Sequence, residues 1–299
     1  MSATLARAYE GFLADAAHLD QLRPHTLRAY RYELALAAAD PRFAGDLATL
    51  SLADLEAWLA RPPASPSTVG RRAATFRRFF VWAIRHGLCT RDPLTGYAAA
   101  RVRRRLPRPI REVGEQRRLD AAIAVAPPPY RLIFTLLRET GMRAGEVLAL
   151  RRGDVTLDAG REALRVREPK NGSERVVVLG PTATPKALRA LRAHVKALRD
   201  AAPHEILFRS DRGTAVSYDA LHYQWGRLCA RAGLVDDGGA PRYTLHQLRH
   251  TRGSELIGQG VRVEIVQRVL GHRDIRSTLG YAELAEAQVR AALERPDAR

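Results

Sequence analysis

Apolar residues recur at helical spacing in four stretches of the first 97 residues, and none of these stretches alternates as a strand would. The first stretch covers residues 2–19, and the second begins at Pro24. The third begins at Ser51, and the fourth, which begins near Ser67, places its phenylalanines on one face. We therefore expect four helices that form a small all-α domain.

The pattern becomes mixed after residue 111. Helical spacing dominates, but ALRVRE and ERVVVL alternate as strands do, and PKNGS at residues 169–173 joins them. Asn171-Gly172 is a strong hairpin-turn signal. We expect a mostly α domain that contains a small antiparallel β-sheet.

Two amphipathic helices are predicted near the end of this second domain. Gly258 and Gly260 separate them, and Gly271 ends the second one. The apolar positions that define them are Leu245, Leu248, Leu256, Ile257, Ile265, Val266, Val269 and Leu270.

A basic, proline-containing segment lies between the two patterns. Residues 98–111 carry six arginines and two prolines with little periodicity, which is typical of an extended linker. We accordingly predict one domain at residues 1–97, a linker at 98–111 and a second domain at 112–299.

The net charge of the chain indicates which class of partner it binds. Lys and Arg number 49 and Asp and Glu number 32, which gives a net charge of +17 and indicates a nucleic-acid partner. Cys89 and Cys229 are the two cysteines, a usage typical of a reducing cytoplasm. No long apolar run occurs near the start of the sequence, so we expect a cytoplasmic protein without a membrane anchor.

Four residues carry a candidate chemistry. His246 and Arg249 stand three apart in HQLRH and share a helix face, and Tyr281 follows nine residues after the LGH that contains His272. An imidazole, a fixed cation and a phenol suit attack on a phosphodiester. The histidines and the tyrosine also have a purely structural interpretation, since a lone histidine or tyrosine is often part of a hydrophobic core.

Arg143 offers a second guanidinium at the start of a predicted helix. Two guanidinium groups can hold both non-bridging oxygens of a pentacoordinate phosphate. The alternative is a surface ion pair between Arg143 and Glu146, one turn later.

These motifs together resemble the tyrosine recombinase family, the phage-integrase and Xer group. HQLRH, LGH and the later tyrosine resemble its carboxy-terminal signature, and TGMRAGEVLALRRGDV at residues 140–155 resembles its first arginine motif. The resemblance implies a Xer-like, two-domain, site-specific DNA recombinase that works through a 3′-phosphotyrosyl intermediate. Its role would be either the resolution of chromosome dimers or the integration and excision of a mobile element. It implies that the first domain is the SAM-like core-binding domain, which clamps one side of the DNA.

The resemblance also implies a set of catalytic residues. Tyr281 would be the nucleophile, activated as a phenolate by neighbouring cations, and His246 would take or share its proton and contact the phosphate. His272 would add a phosphate hydrogen bond, and Glu146 would brace the site. We expect His250, next to Arg249, to point to another face and to have a structural role.

Lys170 is singled out by composition as well. It is one of only three lysines, with Lys186 and Lys196, and it lies at the predicted hairpin tip. A lysine can donate a proton to a leaving 5′ oxygen, whereas an arginine effectively cannot. The family places its general-acid lysine on this hairpin, although an ordinary turn lysine is the alternative.

Arginines clustered on the fourth helix and in the linker are candidates for DNA phosphate contacts. They are Arg71, Arg72, Arg77, Arg78, Arg101, Arg103, Arg104 and Arg105. A solvated helix face is the alternative interpretation of the helical ones.

We expect no metal and no cofactor, because cation-driven phosphoryl transfer through a phosphotyrosine needs neither. The expected partners are double-stranded DNA with a specific recombination site and a homo- or hetero-tetramer of recombinases on two duplexes. Residues 283–293 form a short amphipathic stretch, which the resemblance implies would pack on a neighbouring protomer. Packing of this stretch on its own domain is the alternative. A type IB topoisomerase, or a DNA-binding protein that has lost catalysis, is the alternative function.

Overall fold

The computed structural model describes residues 3–19, 22, 24–62, 64–100, 106–167, 174–271 and 278–281. The chain divides into an amino-terminal unit, Met1–Arg104, and a carboxy-terminal unit, Arg105–Arg299. The predicted linker crosses this division, and Leu106–Arg111 belong to the second unit. Within the described residues, no helix is long and apolar enough to cross a membrane.

Four helices build the amino-terminal unit, as predicted. They are α1 (Leu5–His18), α2 (Pro24–Ala38), α3 (Leu52–Leu59) and α4 (Pro66–Arg85). Ser51 caps α3 in a capping box with Asp54, and the Ser65 hydroxyl accepts a hydrogen bond from the Thr68 N–H at the start of α4.

An aromatic core holds these helices together. Phe43 packs against Trp58 edge to face and stacks on Phe76, at centroid distances of 5.6 and 5.7 Å. Phe79 and Phe80 complete the apolar face of α4 and are fully buried. Helical periodicity predicted this face correctly.

Arg72 corrects one prediction on α4. The sequence placed it among the DNA-contacting arginines, but it is only 6% exposed. Its Nη1 donates to the carbonyl oxygens of Leu59 and Arg61, and its Nε lies 3.5 Å from the buried carboxylate of Glu33. Arg72 therefore ties α4 to α2 and to the end of α3.

Seven helices and a small sheet are described in the carboxy-terminal unit. The helices are α5 (Val113–Ala124), α6 (Tyr130–Thr140), α7 (Ala144–Leu148), α8 (Pro185–Ala197), α9 (Tyr218–Arg231), α10 (Leu245–Gly258) and α11 (Val263–Leu270). The mostly helical fold class with a small antiparallel sheet is confirmed.

The sheet has the strand order β1-β2-β3 and is antiparallel throughout. Its strands are β1 (Val155–Thr156), β2 (Ala163–Arg167) and β3 (Glu174–Val178). The sequence predicted β2 and β3, which pair with Arg167 opposite Glu174. It missed β1, a two-residue strand too short to show alternation.

Residues 106–111 are held against α10. Ile110 is 1% exposed and lies in the core of the carboxy-terminal unit. Its N–H donates to Thr251 Oγ1 at 3.0 Å, and its carbonyl accepts from Gln116 Nε2 at 2.6 Å. Pro107 lies against Gly280, where an added Cβ would come within 2.9 Å of the proline Cδ.

Candidate active site

Arg249 is the most deeply buried cation of the candidate site. It lies on α10, whose first turn is stabilised by a capping box between Thr244 and Gln247. Arg249 is 2% exposed, and its Nη1 donates to the Gly141 carbonyl at 2.9 Å. Its buried Nη2 has no hydrogen-bond partner among the residues that the structure describes. A buried guanidinium with an unused donor is suited to an anionic ligand.

The pKa of Arg249 lies below its ordinary value. Burial lowers this pKa to about 10, and the charge of Arg143 acts in the same direction. Arg249 therefore keeps its proton and its positive charge at pH 7.

Arg143 enters the site because the chain turns sharply after α6. Gly141 ends that helix in the left-handed conformation, at φ +68°, and Arg143 then adopts an extended conformation before α7. Its Nη1 lies 2.7 Å from Glu146 Oε1, and its Nη2 donates to the Gly271 carbonyl at 3.3 Å. The guanidinium is thus held between the start of α7 and the end of α11.

Glu146 braces two arginines. One carboxylate oxygen pairs with Arg143, and the other accepts from the Arg143 backbone N–H at 2.8 Å and from Arg175 Nη2 at 2.6 Å. Burial alone would raise the pKa of Glu146, but Arg175 and Arg143 outweigh it and hold that pKa below its usual value.

Arg175 is a site residue that the sequence reasoning missed. It lies on β3, and its Nη1 donates to the Val269 carbonyl at 3.1 Å near the end of α11. A signal was available, since strand alternation puts Arg175 on the same face as buried Val177. An arginine on the inward face of a strand requires a buried partner, which here is Glu146.

Two histidines of α10 lie side by side. His246 and His250 are one turn apart, with ring centroids 4.6 Å apart and an edge-to-face angle of 84°. Partial burial lowers the pKa of His246, and the charges of Arg249 and Arg143 lower it further. The predicted shared face of His246 and Arg249 is consistent with this electrostatic coupling.

His250 was expected on another face, and that expectation was wrong. Its Nδ1 lies 2.8 Å from the Tyr281 hydroxyl oxygen. The i,i+4 spacing from His246 is the signal that should have placed both rings together. His250 is consequently part of the site.

Tyr281 lies in a helical turn, residues 278–281, and is 1% exposed. Its ring packs on Gly253 of α10, where an added Cβ would lie 3.0 Å from the ring carbon Cζ. Leu256, Val266 and Leu270 complete this small cluster. The nucleophile expected from the sequence is therefore a buried side chain.

The ionisation expected for Tyr281 was wrong. Neighbouring cations were predicted to favour the phenolate, and Arg249 does lower the pKa of Tyr281. Burial is the larger influence, and it raises this pKa to about 12. The phenol therefore keeps its proton at pH 7.

Several predicted residues lie outside the described residues. These are Lys170 at the hairpin tip, His272 after α11, and the linker residues Arg101, Arg103, Arg104 and Arg105. Residues 283–293 lie outside them as well. Their predicted roles stay predictions.

The remaining arginines of α4 differ in their surroundings. Arg71, Arg77 and Arg78 are exposed. Arg71 Nη2 lies 2.6 Å from Glu33, and Arg77 donates to the Tyr97 carbonyl. Their predicted phosphate contacts stay predictions.

The geometry brings a phenol, two imidazoles and two guanidinium groups into one cluster. Such a set can bind a phosphodiester, move a proton and supply a nucleophile. No group of three or more His, Cys, Asp or Glu side chains suited to a metal occurs within the described ranges.

Sequence comparison shows which family the chain belongs to. The profile of the Phage integrase family matches residues 115–288, which is more than half of the chain. The chain belongs to the phage integrase family. The profile described as the Phage integrase, N-terminal SAM-like domain matches residues 10–87. The tyrosine recombinase resemblance is thereby confirmed.

Relatives of this phage integrase family member carry recombinase names. Tyrosine recombinase XerC of Mycobacterium sp. (strain JLS) is 34% identical over 280 residues, which cover 89% of this chain and 90% of the relative. Tyrosine recombinase XerD of Ralstonia nicotianae is 32% identical over 282 residues, which cover 91% and 87% of the two chains.

Solved structures of the phage integrase type share the fold. A XerH site-specific recombinase in a post-cleavage complex has a TM-score of 0.72 at 18% identity, covering 96% of this chain and 84% of that one. A lambda integrase dimer has a TM-score of 0.71 at 21% identity, covering 94% and 77% of the two chains.

Proposed function

We propose that this site-specific tyrosine recombinase cuts one DNA strand at a time by attack of Tyr281 Oη on the scissile phosphate. The observation that carries the proposal is that Tyr281 packs on α10, the helix that carries the buried Arg249, with its Oη 2.8 Å from His250 Nδ1 of the same helix. The Oη–P bond forms, the P–O5′ bond breaks, and a 3′-phosphotyrosine remains. Attack by the 5′ hydroxyl of a partner strand reverses the step.

Arg143 and Arg249 would bind the non-bridging oxygens of the phosphate. Both are fixed by backbone carbonyls, those of Gly271 and Gly141, so the charges are positioned before DNA binds. Charge that is already in place stabilises the pentacoordinate transition state without reorganisation. His246 would add a hydrogen bond to the same phosphate, as would His272.

The departing 5′ oxygen needs a proton, and Lys170 would supply it. A lysine carries a transferable proton, whereas a guanidinium in this role would only bind charge. Glu146 and Arg175 would hold Arg143 in place through the contacts described above.

Tyr281 must become accessible before it can react, since a side chain that is 1% exposed cannot reach a phosphate. DNA binding or assembly would supply the free energy for this rearrangement. The related structures include a lambda integrase tetramer bound to a Holliday junction and a XerH complex with a palindromic difH substrate. We accordingly expect a tetramer on two duplexes that share a specific recombination site.

Tyr281→Phe tests the assignment of the nucleophile, because only the phenolic oxygen is lost. A nicked suicide duplex carrying the recombination site should trap the wild-type protein covalently on a denaturing gel. The variant should bind the same duplex and form no covalent complex. Covalent trapping of the variant would assign the nucleophile to another residue.

Relaxation assays separate this function from the topoisomerase alternative. A recombinase should act on supercoiled plasmids that carry its site and leave plasmids without it unchanged. Relaxation of any plasmid at equal rate would favour the topoisomerase. A wild-type protein that forms no covalent complex on any DNA would favour a silent DNA-binding protein.

A further inference from the structure

The turn that carries Tyr281 is covered by the first described residues of the carboxy-terminal unit. A Cβ added to Gly280 would lie 2.9 Å from Pro107 Cδ and 3.4 Å from Pro107 Cγ, with Leu106 Cδ2 at 3.8 Å. The shortest of these separations is closer than real Cβ atoms come to their neighbours. The proline ring therefore lies directly on the backbone of the residue that precedes the nucleophile.

The other end of this segment is fixed to the helix on which the phenol packs. Ile110 is 1% exposed, and its N–H donates to Thr251 Oγ1 of α10 at 3.0 Å. The Tyr281 ring packs on Gly253, two residues further along α10. We call residues 106–110 the strap. The strap is anchored on α10 at one end and covers the nucleophile turn at the other.

One cation of the strap is available to DNA. Arg108 directly follows Pro107 and is exposed, and within the described ranges no hydrogen bond or ion pair engages its side chain. A guanidinium of this kind can bind a DNA phosphate. Arg111 is exposed as well, but it lies beyond the anchored Ile110. A phosphate bound at Arg108 would therefore act on Pro107, whereas one bound at Arg111 would not.

We propose that the strap holds the turn of residues 278–281 in its buried position in the free protein. Phosphate binding by Arg108 then lifts Pro107 from Gly280 and lets the turn open. Pro107 is a positioning residue for the nucleophile, and Arg108 couples DNA binding to its release. This inference rests on the proposed function of Tyr281 and concerns the step that precedes cleavage.

The strength of the contact suits a restraint that DNA can release. The strap covers Gly280 mainly with two methylene groups of one proline ring, whose loss would change an equilibrium roughly tenfold. A charge-assisted hydrogen bond to phosphate is at least as strong. Since a ligand shifts an equilibrium only by its differential affinity for the two states, Arg108 must bind phosphate more tightly when the strap is lifted.

Pro107→Ala tests the strap, because alanine lacks the Cγ and Cδ atoms that cover Gly280. Nitration of Tyr281 by tetranitromethane in the DNA-free protein, followed by peptide mass spectrometry, measures exposure of the phenol without any catalysis. The nitration rate should rise roughly tenfold in this variant. Pro109→Ala removes a proline from the same segment and is the matched control, which should react at the wild-type rate. Equal rates for the two variants would overturn the strap.

Gly280→Ala gives an independent measurement of the same contact. The φ of Gly280 lies outside the left-handed region, and the three atoms nearest to the added Cβ all belong to the strap. The variant should raise the nitration rate of Tyr281, and adding Pro107→Ala should raise it little further, because the proline ring is already displaced. Additive effects of the two substitutions would show independent destabilisation and would contradict the strap.

Arg108→Gln tests the release by DNA. On a nicked suicide duplex at saturating concentration, covalent trapping should slow by roughly tenfold, because the strap stays in place after binding. Pro107→Ala combined with Arg108→Gln should form the covalent complex as fast as Pro107→Ala alone, since no contact remains to be lifted. Arg111→Gln is the matched control and should form it at the wild-type rate.

Two results would overturn the release by DNA. One is equal slowing of covalent trapping in Arg108→Gln and Arg111→Gln. The other is slowing by Arg108→Gln that persists when Pro107 is also replaced. Failure of the proposed function has a different result, namely a covalent complex formed by Tyr281→Phe, which would leave the nitration rates of the DNA-free protein unaffected.

Discussion

Lys170 is one of three lysines among 49 Lys and Arg residues, and its place at a predicted hairpin tip suggests a chemical role. Charge alone does not supply one, since arginine binds phosphate at least as well. Proton donation would supply one, because only lysine of the two can release a proton near pH 7. The strands that precede and follow it in the sequence, β2 and β3, pair with Arg167 opposite Glu174.

Lys170→Arg should keep DNA binding and slow cleavage by roughly 10²- to 10⁴-fold, because the charge remains and the acid is lost. A duplex with sulfur at the 5′ bridging position should restore cleavage by this variant in single-turnover assays. Lys186→Arg, an exposed position on α8, is the control and should cut at the wild-type rate. If sulfur brings no recovery, Lys170 binds phosphate or only shapes the turn.

Individual residues were predictable where a local motif fixes them. Arg143, His246, Arg249 and Tyr281 could be named because the motifs that contain them resemble those of the tyrosine recombinase family. Arg72 could not be distinguished from Arg71, because adjacent positions on a helix differ by about 100° and the boundary of a buried face is set by its neighbours. The burial of Tyr281 could not be predicted either, since it depends on Gly253, a position distant in sequence.

Three elements meet at the carboxylate of Glu146. It joins the start of α7 to β3 through Arg175, and Arg175 and Arg143 both donate to carbonyls at the end of α11. An added Cβ on Gly271 would lie 2.4 Å from Arg175 Nε, so only glycine leaves room for this crossing. The helices could be predicted from periodicity. The convergence of α7, β3 and α11 could not, because it depends on contacts between residues far apart in the chain.

Glu146→Gln should lower the thermal unfolding midpoint at pH 7 by roughly 2–8 °C, corresponding to about 1–2 kcal/mol for a domain of this size. The folded-state pKa of Glu146 is lowered, so its contribution is complete above the unfolded value and is lost as the pH falls through the folded value. The difference in thermal unfolding midpoint between the wild type and Glu146→Gln should therefore become smaller as the pH falls.

Thermal unfolding followed by circular dichroism between pH 7 and the lowest pH at which the protein stays folded measures this difference. Arg175→Met should also destabilise the protein and weaken its acid sensitivity, because the carboxylate then loses a partner. A constant difference between wild type and Glu146→Gln across the whole range would contradict the assigned role.

The whole chain carries a net charge of +17, which is large for 299 residues. Exposed arginines occur in both units, and phosphate contacts from both would form a clamp on the duplex. Displacement of counterions from DNA makes such binding depend strongly on salt. The all-α unit and the mixed unit were both predictable from hydrophobic patterning, because each builds its core from its own periodic elements.

Replacing Arg71, Arg77 and Arg78 together with alanine should weaken DNA binding and reduce its salt dependence. The slope of log affinity against log salt should change by roughly 0.9 for each phosphate contact removed. Fluorescence anisotropy over a salt series measures both quantities. Arg72→Met is the matched control from the same helix, and it should lower stability while leaving the slope intact. An unchanged salt slope for the triple variant would show that these arginines of α4 make no contacts with DNA phosphates.

The burial of Tyr281 would protect DNA that lacks the target site from cleavage. A basic protein meets random sequence far more often than its target, because backbone attraction is indifferent to base order. With the phenol packed on Gly253 and hidden from solvent, a chance encounter would leave the DNA strand intact. Cleavage would then require the rearrangement proposed above for the assembly on the recombination site, and covalent protein–DNA adducts elsewhere would be avoided.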